Sequence, residues 1–349
     1  MSLQQTILST PDTLLNLSLQ DLQLEPQVTV EGNKVTIAIT APYPITFLEQ
    51  SLTEALRSRM PQYVFQVQTQ TLIRPHQTQL AGQSLRNVKN IIAIGSGKGG
   101  VGKSTVTVNL ATALARLGAK VGILDADIYG PSVPLMLGET PPVQVQDDRY
   151  MPVKIHGIEA MSIGYLTTSN TALIWRGPML AKSLIQMLDF TAWQHLDYLC
   201  IDLPPGTGDI QLSLVQKIPL AGAIIVTTPQ QIATLDAEKA IQMFEKTNVT
   251  TLGIIENMSL HRCSQCGHHD PIFGQGGAAQ LAQTYHSTLL GQLPLDSRIR
   301  QESDLGTPTA LSTNSELANM FLNIALRTAQ TLSSRPLSYA DKMPPVVRE

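Results

Sequence analysis

The most constraining stretch of this 349-residue chain is Gly97-Lys98-Gly99-Gly100-Val101-Gly102-Lys103-Ser104, which follows the apolar run NIIAIG and leads into the amphipathic run TVTVNLATALARLG. A strand that turns through G-x-x-x-x-G-K-[ST] straight into a helix is a phosphate cradle. Glycines let the backbone approach phosphate oxygens and aim N–H groups at them, while the helix N-terminus adds the positive end of its dipole. Lys103 is placed to meet β- and γ-phosphates, and Ser104 to ligate Mg²⁺. Such a loop demands a buried strand on one side and a helix on the other, so the chain around it is expected to be α/β.

The remaining pattern agrees with that demand. From Val88 onward KVGILD, YLCIDL, AGAIIVTT, TLGIIEN and STLLGQL alternate with amphipathic stretches. Continuous apolar runs separated by helical periods describe βαβ units and a mostly parallel sheet flanked by helices. Ligands of such sheets bind at the carboxyl ends of the strands. Residues 1–80 have a different texture: they are Gln-rich, and the alternating runs QVTVEGNKVTIAIT and YVFQVQTQT flank the helical ITFLEQSLTEALRSRM. They read as a small α+β domain, residues 81–87 as a linker, 88–330 as the nucleotide-binding domain and the Pro- and Ser-rich 331–349 as a mobile tail. With Asp+Glu 27 against Lys+Arg 24 the net charge is −3, so no global basic field serves nucleic acid or a membrane surface. No basic n-region or apolar h-region opens the sequence, and no 18 apolar residues run together. The expectation is a cytoplasmic protein with neither nucleic acid nor membrane as partner.

Lys98 is a second lysine inside the loop, where phosphate binding alone does not need one. Here the loop resembles the deviant Walker A family, which includes nitrogenase iron protein, the arsenical pump ATPase and the cell-division and partition ATPases. The resemblance implies an ATP-dependent homodimer in which this lysine reaches the partner's nucleotide. In DADIYGPS, Asp127 resembles the family's switch I aspartate, which orients the attacking water, and Asp125 is its companion; capping of the loop is the alternative for both. Asp202, ending YLCIDL, is the expected Walker B carboxylate that holds the Mg²⁺ water shell. Gly206, in the following PPG turn, looks like switch II, whose N–H meets the γ-phosphate. Asn257 in IIENMS carries an amide able to donate to and accept from an adenine edge, as the family's Asn does, with an Asx turn as the alternative. Asp296 in LPLD lies at a loop that is near the base in related proteins.

The chain's three cysteines are Cys200, Cys263 and Cys266. Cys200 lies inside an apolar strand and reads as a small hydrophobe. Cys263 and Cys266 form a CxxC in a polar loop, and two thiolates make half a site, because zinc and iron–sulfur centres require four ligands. The arithmetic favours a two-fold dimer whose two pairs share one [4Fe–4S] cluster. A zinc site of Cys263, Cys266, His268 and His269 is the rival, with a redox disulfide or no metal as further alternatives.

Taken together, GSGKGGVGKS, LDADIYGPS, WRGPM at Trp175–Met179, YLCIDLPPGTGD, IIENMS and CxxCG followed by IFGQGG resemble the Mrp/ApbC iron–sulfur carrier proteins over roughly residues 88–330. The resemblance implies slow ATP hydrolysis coupled to transfer of a subunit-bridging cluster from an assembly scaffold to apo-proteins. It assigns no role to Arg176 or Met179. Residues 1–80 resemble, in degraded form, the small domain many of these proteins carry; with no cysteine before Cys200, thiol chemistry is excluded there and a docking or regulatory role is expected. Two other classes compete: a nucleotide-switched zinc-binding interaction protein, and a positioning ATPase of the cell-division or partition type.

Overall fold

The computed structural model describes residues 2–166, 177–263, 265–313 and 315–339. The first unit holds α1 (Leu3–Ser9), β1 (Gln27–Glu31), β2 (Lys34–Ala41), α2 (Leu48–Arg59) and β3 (Val64–Thr71). β1 and β2 form an antiparallel hairpin and β3 joins β2 in parallel, with α2 as the crossover. Alternation explains the fit: Val35, Ile37 and Ile39 of β2 and Phe65 and Val67 of β3 are buried, while the residues between them are turned away.

Next come β4 (Val88–Gly95), α3 (Lys103–Arg116), β5 (Val121–Asp125), α4 (Val133–Leu137), β6 (Gln144–Gln146), β7 (Arg149–Met151), β8 (Val153–Ile155) and β9 (Ile158–Ser162). They are followed by α5 (Gly177–Phe190), β10 (Leu196–Asp202), α6 (Asp209–Lys217), β11 (Gly222–Thr227), α7 (Gln231–Lys246) and β12 (Thr251–Glu256). The chain ends its regular course with β13 (His261–Arg262), β14 (His269–Asp270), α8 (Gly277–Thr284), β15 (Leu289–Gln292), α9 (Ser297–Asp304) and α10 (Glu316–Ser333). Eight strands make one sheet in the order β15-β12-β11-β4-β10-β5-β9-β8, parallel throughout except for the β8–β9 hairpin. All six apolar runs expected as strands are in it, because a strand covered on both faces must be apolar at every position, and β5, β10 and β11 are buried along nearly their whole length.

Two cores lie on opposite faces of this sheet. One, against α3 and α10, is continuous with the core of the first unit; the other packs under α5, α6, α7 and α8. The register sets Asp125 of β5 beside Asp202 of β10, with β4 running into the glycine loop on the other side of β10. The functional groups therefore gather at one carboxyl edge. Beyond residue 330, where a mobile tail was expected, α10 continues to Ser333, and Pro336 and Ser338 exchange backbone hydrogen bonds with Gln77 and Pro75 at 2.9 Å each. Residues 75–77 and the start of the tail thus satisfy each other's backbone groups.

Candidate nucleotide and metal site

α3 starts at Lys103, and its axis aims at the loop 96–102. Gly97 is dictated by packing: a Cβ there would come within 2.0 Å of the Asp236 carbonyl of α7. Gly102 is required twice over, because its φ is +82° and a Cβ would lie 2.2 Å from the Asn257 amide nitrogen. An open cavity of about 190 Å³ lies over the loop, lined among others by Lys98, Lys103, Ser104, Asp127 and Pro205. Gly99, Gly100 and Val101 complete the turn, Val101 buried and the two glycines exposed.

The floor of the site is a buried polar network centred on Asp202. Its Oδ1 receives Lys103 Nζ at 2.8 Å and Thr107 Oγ1 at 2.8 Å, and its Oδ2 receives Ser104 Oγ at 2.5 Å. Lys103 and Asp202 are 6% and 0% exposed, so this ion pair offsets a charge that would otherwise sit buried without a counter-ion. Thr107 was not singled out in the sequence; lying four residues after Lys103, it occupies the same helix face, and that spacing is the signal that finds it. Oxygen donors from Ser104 and Asp202 side by side suit a hard cation such as Mg²⁺.

Asp125, fully buried, does perform the loop-capping alternative. Its carboxylate accepts from Asp127 N at 3.1 Å, Val133 N at 3.3 Å and Ser162 Oγ at 3.0 Å, anchoring both ends of the 127–133 loop. Burial, and then the negative charge of Asp202, push its carboxyl up to about 7. Asp127 lies at the cavity wall and half-buried, and loss of solvation raises it as well. Lys98 is partly exposed at the rim, its carbonyl accepting from Ser96 Oγ at 2.9 Å. Gly206, with φ +94°, donates its N–H to Ser96 O at 3.0 Å, so in this conformation that donor is taken by the loop.

Asn257, 8% exposed, donates from Nδ2 to Val101 O at 2.9 Å. The residue expected to read a base is therefore also a direct tie between the phosphate loop and the strand end that leads to the cysteines. Beside it Glu256 caps α8 through Ala278 N at 3.0 Å and accepts from Gln292 Nε2 at 2.6 Å. Asp296 is the N-cap of α9, and its carboxylate is occupied by the Arg298 backbone N–H and guanidinium.

Cys263 and Cys266 sit on a short hairpin closed by β13 and β14, with Cys263 N donating to His268 O and Gly267 N to Cys263 O, both at 2.9 Å. The N–H groups of Cys266 and Gln265 point at the Cys263 sulfur and hold its thiol below the usual range. Backbone donors around a sulfur favour the thiolate, the form that ligates metal. Cys263 is partly exposed and Cys266 exposed. Among the described residues no group of three or more His, Cys, Asp or Glu comes together as a metal site, so the set Cys263, Cys266, His268 and His269 is not assembled within one chain. Cys200 is enclosed in β10, with burial pushing its thiol up to about 12. Trp175 and Arg176 lie outside the described residues, as does the side chain of Met179.

The parallel sheet and its loop define a P-loop NTPase with a second lysine in the loop. More narrowly, the chain belongs to the NUBPL iron-transfer P-loop NTPases within the ParA group, a family that matches residues 87–329. Relatives include the iron–sulfur cluster carrier protein of Escherichia coli K12, 57% identical over 251 residues, covering 71% of this chain and 68% of that one. The iron–sulfur cluster transfer protein NUBPL of Mus musculus is 45% identical over 256 residues, covering 72% and 80%. Among solved structures, a nucleotide-binding protein from Archaeoglobus fulgidus in complex with ADP is 44% identical with a TM-score of 0.57, covering 63% of this chain and 87% of that one. The cell division ATPase MinD of Pyrococcus furiosus is 25% identical with a TM-score of 0.52, covering 69% and 98%.

Proposed function

We propose that this protein is an ATP-hydrolysing carrier of iron–sulfur clusters that holds a [4Fe–4S] cluster between two copies of itself, through Cys263 and Cys266 of each, and passes it to apo-proteins. The observation that carries the reading is the pair of thiols set on an open hairpin, six residues beyond an asparagine bonded to the phosphate loop. Two ligands per chain complete a cluster only when a second copy supplies the other two. The family and the names of its members point the same way.

ATP lies with its phosphates over residues 97–104, and Lys103 leaves Asp202 for the β- and γ-phosphates. Ser104 and Asp202 would hold Mg²⁺, which would neutralise phosphate charge. Asp127 orients the attacking water, Lys98 reaches across to the other copy's nucleotide, and Gly206 gives up Ser96 O to meet the γ-phosphate. Asn257 passes the state of the loop to the hairpin. Hydrolysis is slow and gates release, the N-terminal unit serves docking or regulation, and the protein works in the cytoplasm, receiving its cluster from an assembly scaffold. Among the described residues no helix is long and apolar enough to cross a membrane.

The test is iron, sulfide and zinc content after anaerobic reconstitution, with solution mass, for the wild type and the Cys263→Ala/Cys266→Ala variant. About two irons and two sulfides per chain in a dimer, lost in the variant, are expected for one shared four-iron cluster. About one zinc per chain without sulfide overturns the carrier reading. Lys103→Ala is expected to load cluster but to lose nucleotide-dependent release; unchanged release would remove the coupling.

A further inference from the structure

α6 begins at Asp209, immediately after the Gly206 turn, and is a nine-residue rod about 14 Å long. Its far end is where helix carbonyls lose their intrahelical partners and need other donors. Those donors come from outside the nucleotide-binding fold. The Gln79 amide, in the segment joining the two units, donates to Val215 O and Ile218 O at 2.7 Å each, and its oxygen accepts Leu220 N at 2.9 Å. Both amide hydrogens and the carbonyl are thus committed to one helix end.

The same segment is woven into the rest of the fold. His76 N and Nδ1 each lie 3.0 Å from Asn90 Oδ1 on β4. Gln77 and Pro75 pair with Pro336 and Ser338, and Arg335 donates to Ala221 O at 2.7 Å, one residue beyond Leu220. One end of α6 therefore touches the loop that senses the γ-phosphate, and the other is gripped by the strap from which the N-terminal unit hangs.

We propose that Gln79 is a positioning residue that couples the nucleotide state to the N-terminal unit: movement of the Gly206 turn on ATP binding shifts α6 along its length, and Gln79 carries that shift into residues 75–79 and 335–338. The inference rests on the nucleotide reading above. A nine-residue helix moves as a body more readily than it bends, so a displacement at Asp209 reappears at Val215–Leu220. Substrate contact is not involved; Gln79 acts only through α6.

The experiment is amide hydrogen exchange on the full chain, with and without Mg²⁺ and the non-hydrolysable analogue AMPPNP, for the wild type, Gln79→Leu and Gln79→Glu. Leucine removes all three bonds at similar size, and glutamate keeps the acceptor but turns the two donors into acceptors facing carbonyls. In the wild type, AMPPNP is expected to slow exchange at residues 96–105 and to alter it at 75–79 and 335–338 by about threefold or more. In both variants the response at 96–105 should persist while that at the strap disappears. A wild-type response at 96–105 with none at the strap overturns the coupling alone. So does Gln79→Leu exchanging faster at the end of α6 with its strap response intact, since that is what a merely structural contact predicts. Absence of any response at 96–105 in the wild type overturns the nucleotide reading and this inference with it.

Discussion

Lys103, proposed above to meet phosphate, is bonded to Asp202 in this structure, and burial accounts for that pairing. Each charge is nearly enclosed, so neither is tolerated without a partner. Lys103→Ala should therefore destabilise the nucleotide-free protein by about 3 kcal/mol. Denaturant melts of the wild type and the variant check this. Asp125 differs from a surface aspartate because burial, and then the charge of Asp202, raise its carboxyl. Its folded-state carboxyl lies near 7, above the ordinary 3.8, so from about pH 4 to about pH 7 the folded protein holds a proton that the unfolded chain has lost. Stability from this group is complete on the acid side and is lost as pH rises through 7. Asp125→Asn should flatten the fall of melting temperature between pH 5 and 8, and an unchanged slope would contradict the assignment. The residue types at this site were legible because each chemical task admits few side chains. Which atom serves which neighbour was not, as Asp125 in its capping role and Gly206 bonded to Ser96 both make plain.

At the scale of elements, the phosphate loop depends on α7 as much as on its own glycines. Gly97→Ala would drive a methyl group against the Asp236 backbone, which cannot move aside as a flexible side chain could. The loop should separate from α7, with stability lowered by about 2 kcal/mol or more and ATP binding weakened at least tenfold; calorimetric titration and denaturant melts measure the two effects. The six central strands were readable as apolar runs. The hairpin of β8 and β9 was not, because its turn is His156-Gly157 with φ of +50° and +77°, a two-residue left-handed turn that usually begins with Asn or Asp. β6, β7, β13 and β14 have two or three residues each, too short for any period to declare itself. The pairing of residues 336 and 338 was not legible for a different reason: their partners lie about 260 residues away in sequence, at 75–77.

For the whole molecule, one core runs from the N-terminal sheet through α3 and α10 to the central sheet. Proteolysis between residues 81 and 87 should therefore leave the two parts associated, held by apolar contact and by the paired strap; separation of the fragments on size exclusion without denaturant would contradict this. Removing the cluster with a ferrous chelator in the absence of nucleotide should lower the solution mass towards that of the 37.9 kDa chain, if shared thiolate ligation is what joins the copies. A mass unmoved by complete loss of iron would assign the dimer contact to other surfaces.

The amino-acid sequence by itself determined the α/β class, the phosphate loop, the acidic strand ends and the thiol pair. Each is a local pattern: a continuous apolar run, glycines at fixed spacing, a carboxylate after a strand, two cysteines three apart. Tertiary structure alone decided that Asp202 collects Lys103, Ser104 and Thr107, that Asn257 ties the loop to the cysteine hairpin, and that Gln79 holds the end of α6. Those relations join residues 95 to 156 positions apart, and no local pattern encodes them. They come into being only when the register of parallel strands and the packing of helices bring distant polar groups together, away from water, where each must find a partner.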